Sequence, residues 1–220
     1  VTGLLHTKLQ IPALLAGILT MIGLYSINLR VMGGKSNISI LRMDNVYTFF
    51  ENFGLDKNMS ILVCGLVFVV VIIAFLYWFF GTEIGAAIRA TGSNKQMIRA
   101  QGINTDITTI ICLMLGNGLI GIAGALIGQS QSFADAGMGT GTIVIGLASI
   151  IIGEVLFGTR NFMNWLLAIV GGSIAYRFVV AIVLQLGFNQ NDMKLLTAII
   201  VALALAMPLI KAKISKIKGA

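Results

Sequence analysis

The chemistry this sequence could do is narrow. It holds one histidine, His6, and two cysteines, Cys64 and Cys112, in 220 residues. These do not form a His/Cys cluster at ligand spacing, so no metal site is expected. Both cysteines sit inside apolar runs, where a thiol acts as a small packing group. A nucleophile needs a base beside it, and a lone histidine at position 6 leaves serine–histidine chemistry without a frame. Gly34-Lys35-Ser36 has the tail of a phosphate-binding loop, which also needs a glycine five residues before its second glycine. Leu29 stands there, so the match is rejected. Glu154 and Arg177 are different, because each lies inside an apolar stretch. A charge in hydrocarbon is costly unless it is paired or hydrated. Glu154 is therefore the partner to test for Arg177. The other reading breaks the helix at Gly171-Gly172-Ser173 and puts Arg177 beside water. Either arrangement would mark a solute path, not a covalent reaction.

The elements that must position these residues follow from composition. The chain is 57% hydrophobic and 10% charged, with a mean hydropathy of +0.96. Soluble domains carry about 25% charged residues. Backbone amides in lipid must be paired internally, and the apolar runs are helix-length, unlike the short alternating segments of a barrel. The expected fold is all-α: a polytopic transmembrane helical bundle of about six spans, with one broken or short helix. The spans are residues 13–29, 61–80, 107–128, 143–157, 164–187 and 195–209, in a single transmembrane domain over 1–220. Pro12 suits the first turn of the first span. Residues 46–53 are aromatic and are expected at the membrane interface.

Polar interruptions give candidate path residues. Ser26 and Asn28 could line a path or bond between helices. Asn117 joins them as a neutral polar group suited to a small zwitterion or polyol. Gly116, Gly118, Gly121, Gly124 and Gly128 stud the third span and predict close backbone approach, within the chain or at a dimer seam. The run at 143–157 is about 15 residues, below the ~17 needed to cross untilted. Gly137, Gly139 and Gly141 lead into it, which reads as a broken helix near a substrate path or as a tilted helix whose Glu154 reaches the interface.

The longest polar interval enclosed by uncharged apolar runs is residues 81–106. Thr82 can cap a helix, Gly92 can end it, and Ser93 with Gln96 has capping-box spacing. Gly102 supplies a stop. Two short helices joined at Gly92 is one reading; a plain loop is the other. Alternation of spans puts this interval, with Arg89, Lys95 and Arg99, on one side with Lys8, Arg160, Lys211, Lys213, Lys216 and Lys218. The positive-inside rule makes that side cytoplasmic, C-terminus included. It also explains the net charge of +7 without nucleic acid.

The interval reads Arg89-Ala90-Thr91-Gly92-Ser93-Asn94, then Lys95, Met97, Ile98-Arg99 and Gly102-Ile103-Asn104. It resembles the cytoplasmic coupling segment of bacterial ABC-importer permeases of the branched-chain amino acid and ribose group. Residues 136–154 are similar, more weakly, to the glycine-bounded helix of these permeases. Residues 4–33 look closest to the branch linked to aromatic amino acid uptake. The likeness covers nearly the whole chain, although such permeases usually carry further helices before this point, so N-terminal helices are expected to be missing.

The resemblance implies a non-catalytic permease of the bacterial inner membrane that moves a small polar solute, an amino acid, by alternating access. It implies a second permease subunit in a homodimer, together with ABC ATPase subunits that hold ATP and Mg, an extracytoplasmic substrate-binding protein and surrounding membrane lipid. Arg89, Lys95 and Arg99 would meet acidic residues of an ATPase groove, with Met97 and Ile98 on its apolar floor. No cofactor is expected on this chain. The alternative class is a stand-alone secondary transporter or channel, which would depend on Glu154 and Arg177.

Overall fold

A computed structural model describes residues 1–41, 45–52, 54–139 and 141–185. The expected sixth span at 195–209, the turn before it and the lysine tail lie outside the described residues. The rest is helical apart from one strand pair. In order come α1 (Thr2–Thr7), α2 (Ala13–Val31), β1 (Asn37–Ser39), α3 (Val46–Glu51), α4 (Lys57–Gly81), α5 (Glu83–Ser93), α6 (Lys95–Ala100), α7 (Thr105–Gln131), β2 (Phe133–Asp135), α8 (Thr142–Phe157) and α9 (Phe162–Gln185). Of these, α2, α4, α7 and α9 are long and apolar enough to cross a membrane. Helix α8 has 16 residues, about 24 Å of rise against a core of about 30 Å. Helices therefore stand at five of the expected spans, four of them long enough to cross, and the one expected to be short is short.

The chain divides into two compact units, Val1–Gly139 and Thr140–Ala220. In the first, α1 packs against both α2 and α7. The Thr2 hydroxyl donates to Thr20 Oγ1 at 2.9 Å, and Gly3 is buried against Ile110. Helices α4, α5, α6 and α7 follow through tight corners, so the end of α4 and the start of α7 meet at α5–α6. At the other end of α7, β2 pairs antiparallel with β1, with Ile38 opposite Ala134. The Ile40 N–H to Ser132 carbonyl bond and the Ala136 N–H to Ser36 carbonyl bond, both 2.9 Å, extend the ladder. This small sheet is a minor addition to a helical fold. Helix α3 packs against α4 and α7, capped by Asn45 and Thr48 in a reciprocal capping box.

The second unit is the α8–α9 hairpin. Its core is Ala148 and Tyr176, with Ile145, Ile152 and Val180 around them. Helix α9 runs unbroken through Gly171-Gly172-Ser173, which goes against the alternative reading that broke it there. These glycines serve proximity. A Cβ on Gly172 would stand 2.5 Å from Gly153 N and 2.7 Å from Gly153 Cα, and closer still to the Ser149 carbonyl. A Cβ on Gly153 would lie 2.7 Å from the Ala168 carbonyl carbon. The two backbones touch, as small residues allow where lipid supplies no hydrophobic drive between helices.

Candidate functional site

The polar corner between α4 and α7 is built from caps. Thr82 Oγ1 donates to the Phe79 carbonyl at 2.6 Å and accepts the Gly85 N–H at 3.3 Å, so it closes α4 and opens α5 together. Gly85 is buried there, and a Cβ on it would stand 2.9 Å from the Phe80 carbonyl carbon with other α4 backbone atoms nearer. Helix α5 continues through Gly92 to Ser93, so Gly92 does not end it. The cap of α6 is Asn94, not Ser93. Its Oδ1 accepts the Gln96 and Met97 N–H groups at 3.0 and 3.1 Å. Asn94 has the extended backbone of an N-cap, φ −153° and ψ 99°, whereas Ser93 is still helical. Gly102 reverses the chain at φ +84°, a region where a Cβ is strained. Asn104 then caps α7, its Oδ1 accepting the Asp106 N–H at 3.0 Å.

The corner is fastened to α7. Buried Thr91 and Thr108 share a hydroxyl–hydroxyl hydrogen bond of 3.0 Å. Arg99 Nε donates to Thr105 Oγ1 at 2.7 Å, and Thr105 is 2% exposed. Arg99 Nη2 reaches Asp106 Oδ1 at 3.3 Å. That ion pair is solvent-facing and by itself worth about 0–1 kcal/mol; the bond to buried Thr105 fixes its direction. Ile98 is 3% exposed and packs within the chain. It is therefore unavailable as the apolar floor contact expected of it, and Arg99 is engaged internally. Every α6 residue but Ile98 is exposed, Lys95, Gln96 and Met97 among them, Met97 at 49%, and the Arg99 side chain stays 63% exposed despite its bonds. Arg89 is exposed on α5, Ala90 and Ile103 are half-buried, and Asn94 is exposed.

The candidate path residues do not converge in the same way. Ser26 and Asn28 are exposed near the end of α2. Asn117 Nδ2 donates to its own helix, to the Leu113 carbonyl, at 2.7 Å. The Gly137 N–H is held by Asp135 Oδ1 at 2.6 Å in the turn after β2, and Gly139 ends that unit. Gly141 precedes α8 at φ +85°. Glu154 Oε1 accepts the Trp165 indole N–H at 2.9 Å, so its partner is Trp165. Arg177 lies twelve residues further along α9, about 18 Å of rise, in an open groove with Ser173, Ile174, Phe178 and Ala181. Among the described residues Glu154 and Arg177 do not pair.

The sequence reading missed Gly85, Thr105, Thr108 and Trp165. The signal for the first was a glycine three residues after a cap. For the threonines it was a Thr105-x-x-Thr108 pair opening a span, where hydroxyls can return bonds to the preceding turn.

The model of the family described as the branched-chain amino acid transport system permease component matches residues 1–207. The chain belongs to this permease family. A tyrosine transport system permease protein of Clostridioides difficile is 42% identical over 206 residues, covering 94% of this chain and 67% of its own length. An uncharacterized protein of Rickettsia prowazekii is 30% identical over 201 residues, 90% of this chain and 69% of its own. An autoinducer 2 import system permease protein of Yersinia pseudotuberculosis is 26% identical over 168 residues, 75% of this chain and 46% of its own. No solved structure matches significantly. This permease is a multi-pass membrane protein and a non-catalytic component of an ABC-type transport system.

Proposed function

We propose that this permease imports a small polar solute by alternating access, driven by separate ATPase subunits seated on the α5–α6 corner. The observation that carries the reading is the division of labour on α6. Ile98 is buried and Arg99 is bonded to Thr105, which hold the helix to its own chain, while Lys95, Gln96, Met97 and the exposed Arg99 guanidinium face out. A short, doubly fastened helix with cationic side chains and one adaptable apolar side chain outward suits a shallow groove with an acidic rim. The positive-inside rule supports a cytoplasmic corner, with the β1–β2 end on the other side of the membrane.

The ATP and its Mg belong to the partner ATPase. A second permease subunit, a homodimer in the simplest form, would complete the pathway, and an external binding protein would deliver the solute. An amino acid is favoured by likeness to the tyrosine permease and by the family itself, so tyrosine and branched-chain amino acids are the first solutes to assay. The stand-alone carrier reading loses support because Glu154 is taken by Trp165 and lies far from Arg177 along the hairpin.

The test is co-purification of the full-length permease with its ATPase, comparing wild type with Lys95→Glu and Met97→Asp. Each substitution should weaken the complex at least tenfold while leaving membrane insertion and thermal stability unchanged. Undiminished complexes in both variants would remove the corner from the interface.

A further inference from the structure

Arg177 is the only charged residue of α9. It stands fifteen residues past Phe162 and eight before Gln185, about 22 Å and 12 Å of rise. A guanidinium at that depth is costly unless it is paired or hydrated. Among the described residues nothing pairs with it, and Glu154 is held by the Trp165 indole. Escape to the nearer interface works against helix geometry. That interface lies toward Gln185, whereas helical side chains lean toward the N-terminus. A long side chain at 177 therefore leans back over Ser173, one turn earlier and small, and the two line one groove. Ser173 Oγ donates to the Val170 carbonyl at 2.8 Å, which leaves its oxygen able to accept.

The groove is about 410 Å³ and is completed by Ile174, Phe178 and Ala181, a size within the range of small-molecule sites. Ala168, Gly172 and Tyr176 pack α9 onto α8; Arg177, Ile174 and Phe178 are exposed on the side left free. A fork of donors with small neighbours and flanking apolar side chains matches a carboxylate carried on an apolar body.

We propose that Arg177 is a substrate-binding residue whose guanidinium takes the carboxylate of the transported amino acid, with Ile174 and Phe178 against the amino acid's apolar side chain. This rests on the amino-acid import proposed above. The carboxylate supplies the counter-charge that α9 lacks, so a neutral polyol leaves the guanidinium unpaired and is rejected. A lipid phosphate offers similar chemistry, but at the interface toward which the side chain does not lean.

The experiment uses the full-length permease with its ATPase in lipid nanodiscs, without binding protein. Direct binding of tyrosine and leucine is compared with that of tyrosinamide and leucinamide, which keep the ammonium and side chain and lose the carboxylate charge. At least one of the two acids should bind the wild type about tenfold or more tighter than its amide, as a charge-assisted hydrogen bond allows. In Arg177→Gln that preference should fall to within twofold. Arg177→Lys, which keeps the charge and loses the fork, should retain a reduced preference and serves if the glutamine variant does not fold. A wild type that prefers neither acid, or that binds none of the four, overturns the proposal. So does a wild-type preference in the folded variants, or a variant whose only change is loss of co-purified anionic lipid. The import reading fails separately: hydrolysis by the wild-type complex with binding protein would then respond to no amino acid.

Discussion

Replacing Gly172 with alanine should loosen the α8–α9 hairpin, and the size of the effect follows from the contact. The new methyl would sit 2.5 Å from Gly153 N and 2.7 Å from Gly153 Cα, where ordinary contact begins near 3.4 Å. It must retreat about 0.9 Å from the nitrogen, and its three nearest neighbours are all backbone, so no side chain can swing away. The helices have to separate, which strips contacts from Ala148 and Ala168, both 0% exposed. Overpacking of this kind costs about 1–3 kcal/mol, against a gain of up to about 1 kcal/mol from replacing a helical glycine. The same change at Gly146, where no atom lies within 4 Å, carries the gain without the cost. An equilibrium unfolding titration in mixed micelles should show Gly172→Ala destabilised by about 1–2 kcal/mol, roughly five- to thirtyfold in the folded ratio. Gly146→Ala should be neutral or slightly stabilising. Equal stabilities for the two variants would refute the reasoning, because a propensity effect alone would treat the two glycines alike.

Other outcomes follow from the first unit. Gly85→Ala should open the α4–α5 corner, because the methyl would meet α4 backbone; hydrogen exchange at the Gly85 and Ala86 amides should rise, while Gly81→Ala, in open space, should leave it unchanged. Asn94→Ala should cost about 1 kcal/mol as a lost cap and show faster exchange at Gln96 and Met97, whereas Ser93→Ala should show neither. Burial, with the Cys64 charge second, raises the Tyr47 hydroxyl above its ordinary value of 10.0. Its contribution to stability is therefore complete below pH 10 and lost as pH rises through the raised value. An alkaline melting series should show that loss in wild type and not in Tyr47→Phe, which starts lower by about 1 kcal/mol at neutral pH.

The spans were legible because uncharged runs of helix length leave few alternatives in lipid. Thr82 and Gly102 were legible too, one as a capping hydroxyl and the other as a stop that required positive φ. Ser93 and Asn94 were not separable, since both can cap and only the backbone decides which residue is extended. Gly171-Gly172 could break a helix or let another touch it, and the partner that settles this, Gly153, lies far off in sequence. Ile98 read as an outward apolar side chain because a six-residue helix shows no period. The strands Asn37–Ser39 and Phe133–Asp135 have three residues each, too few for alternation to show. Glu154 and Arg177 attracted each other on cost alone, and the indole of Trp165 was overlooked as a donor.

The most direct measurement of the central claim is ATP hydrolysis by the full-length permease co-purified with its ATPase, with and without binding protein and candidate amino acid. The expected result is a stable complex whose hydrolysis rises when tyrosine or a branched-chain amino acid and the binding protein are both present, and which is lost in Lys95→Glu. A folded permease that holds no ATPase, or a complex indifferent to changes at Lys95 and Met97, would contradict the assignment of the α5–α6 corner as the ATPase seat.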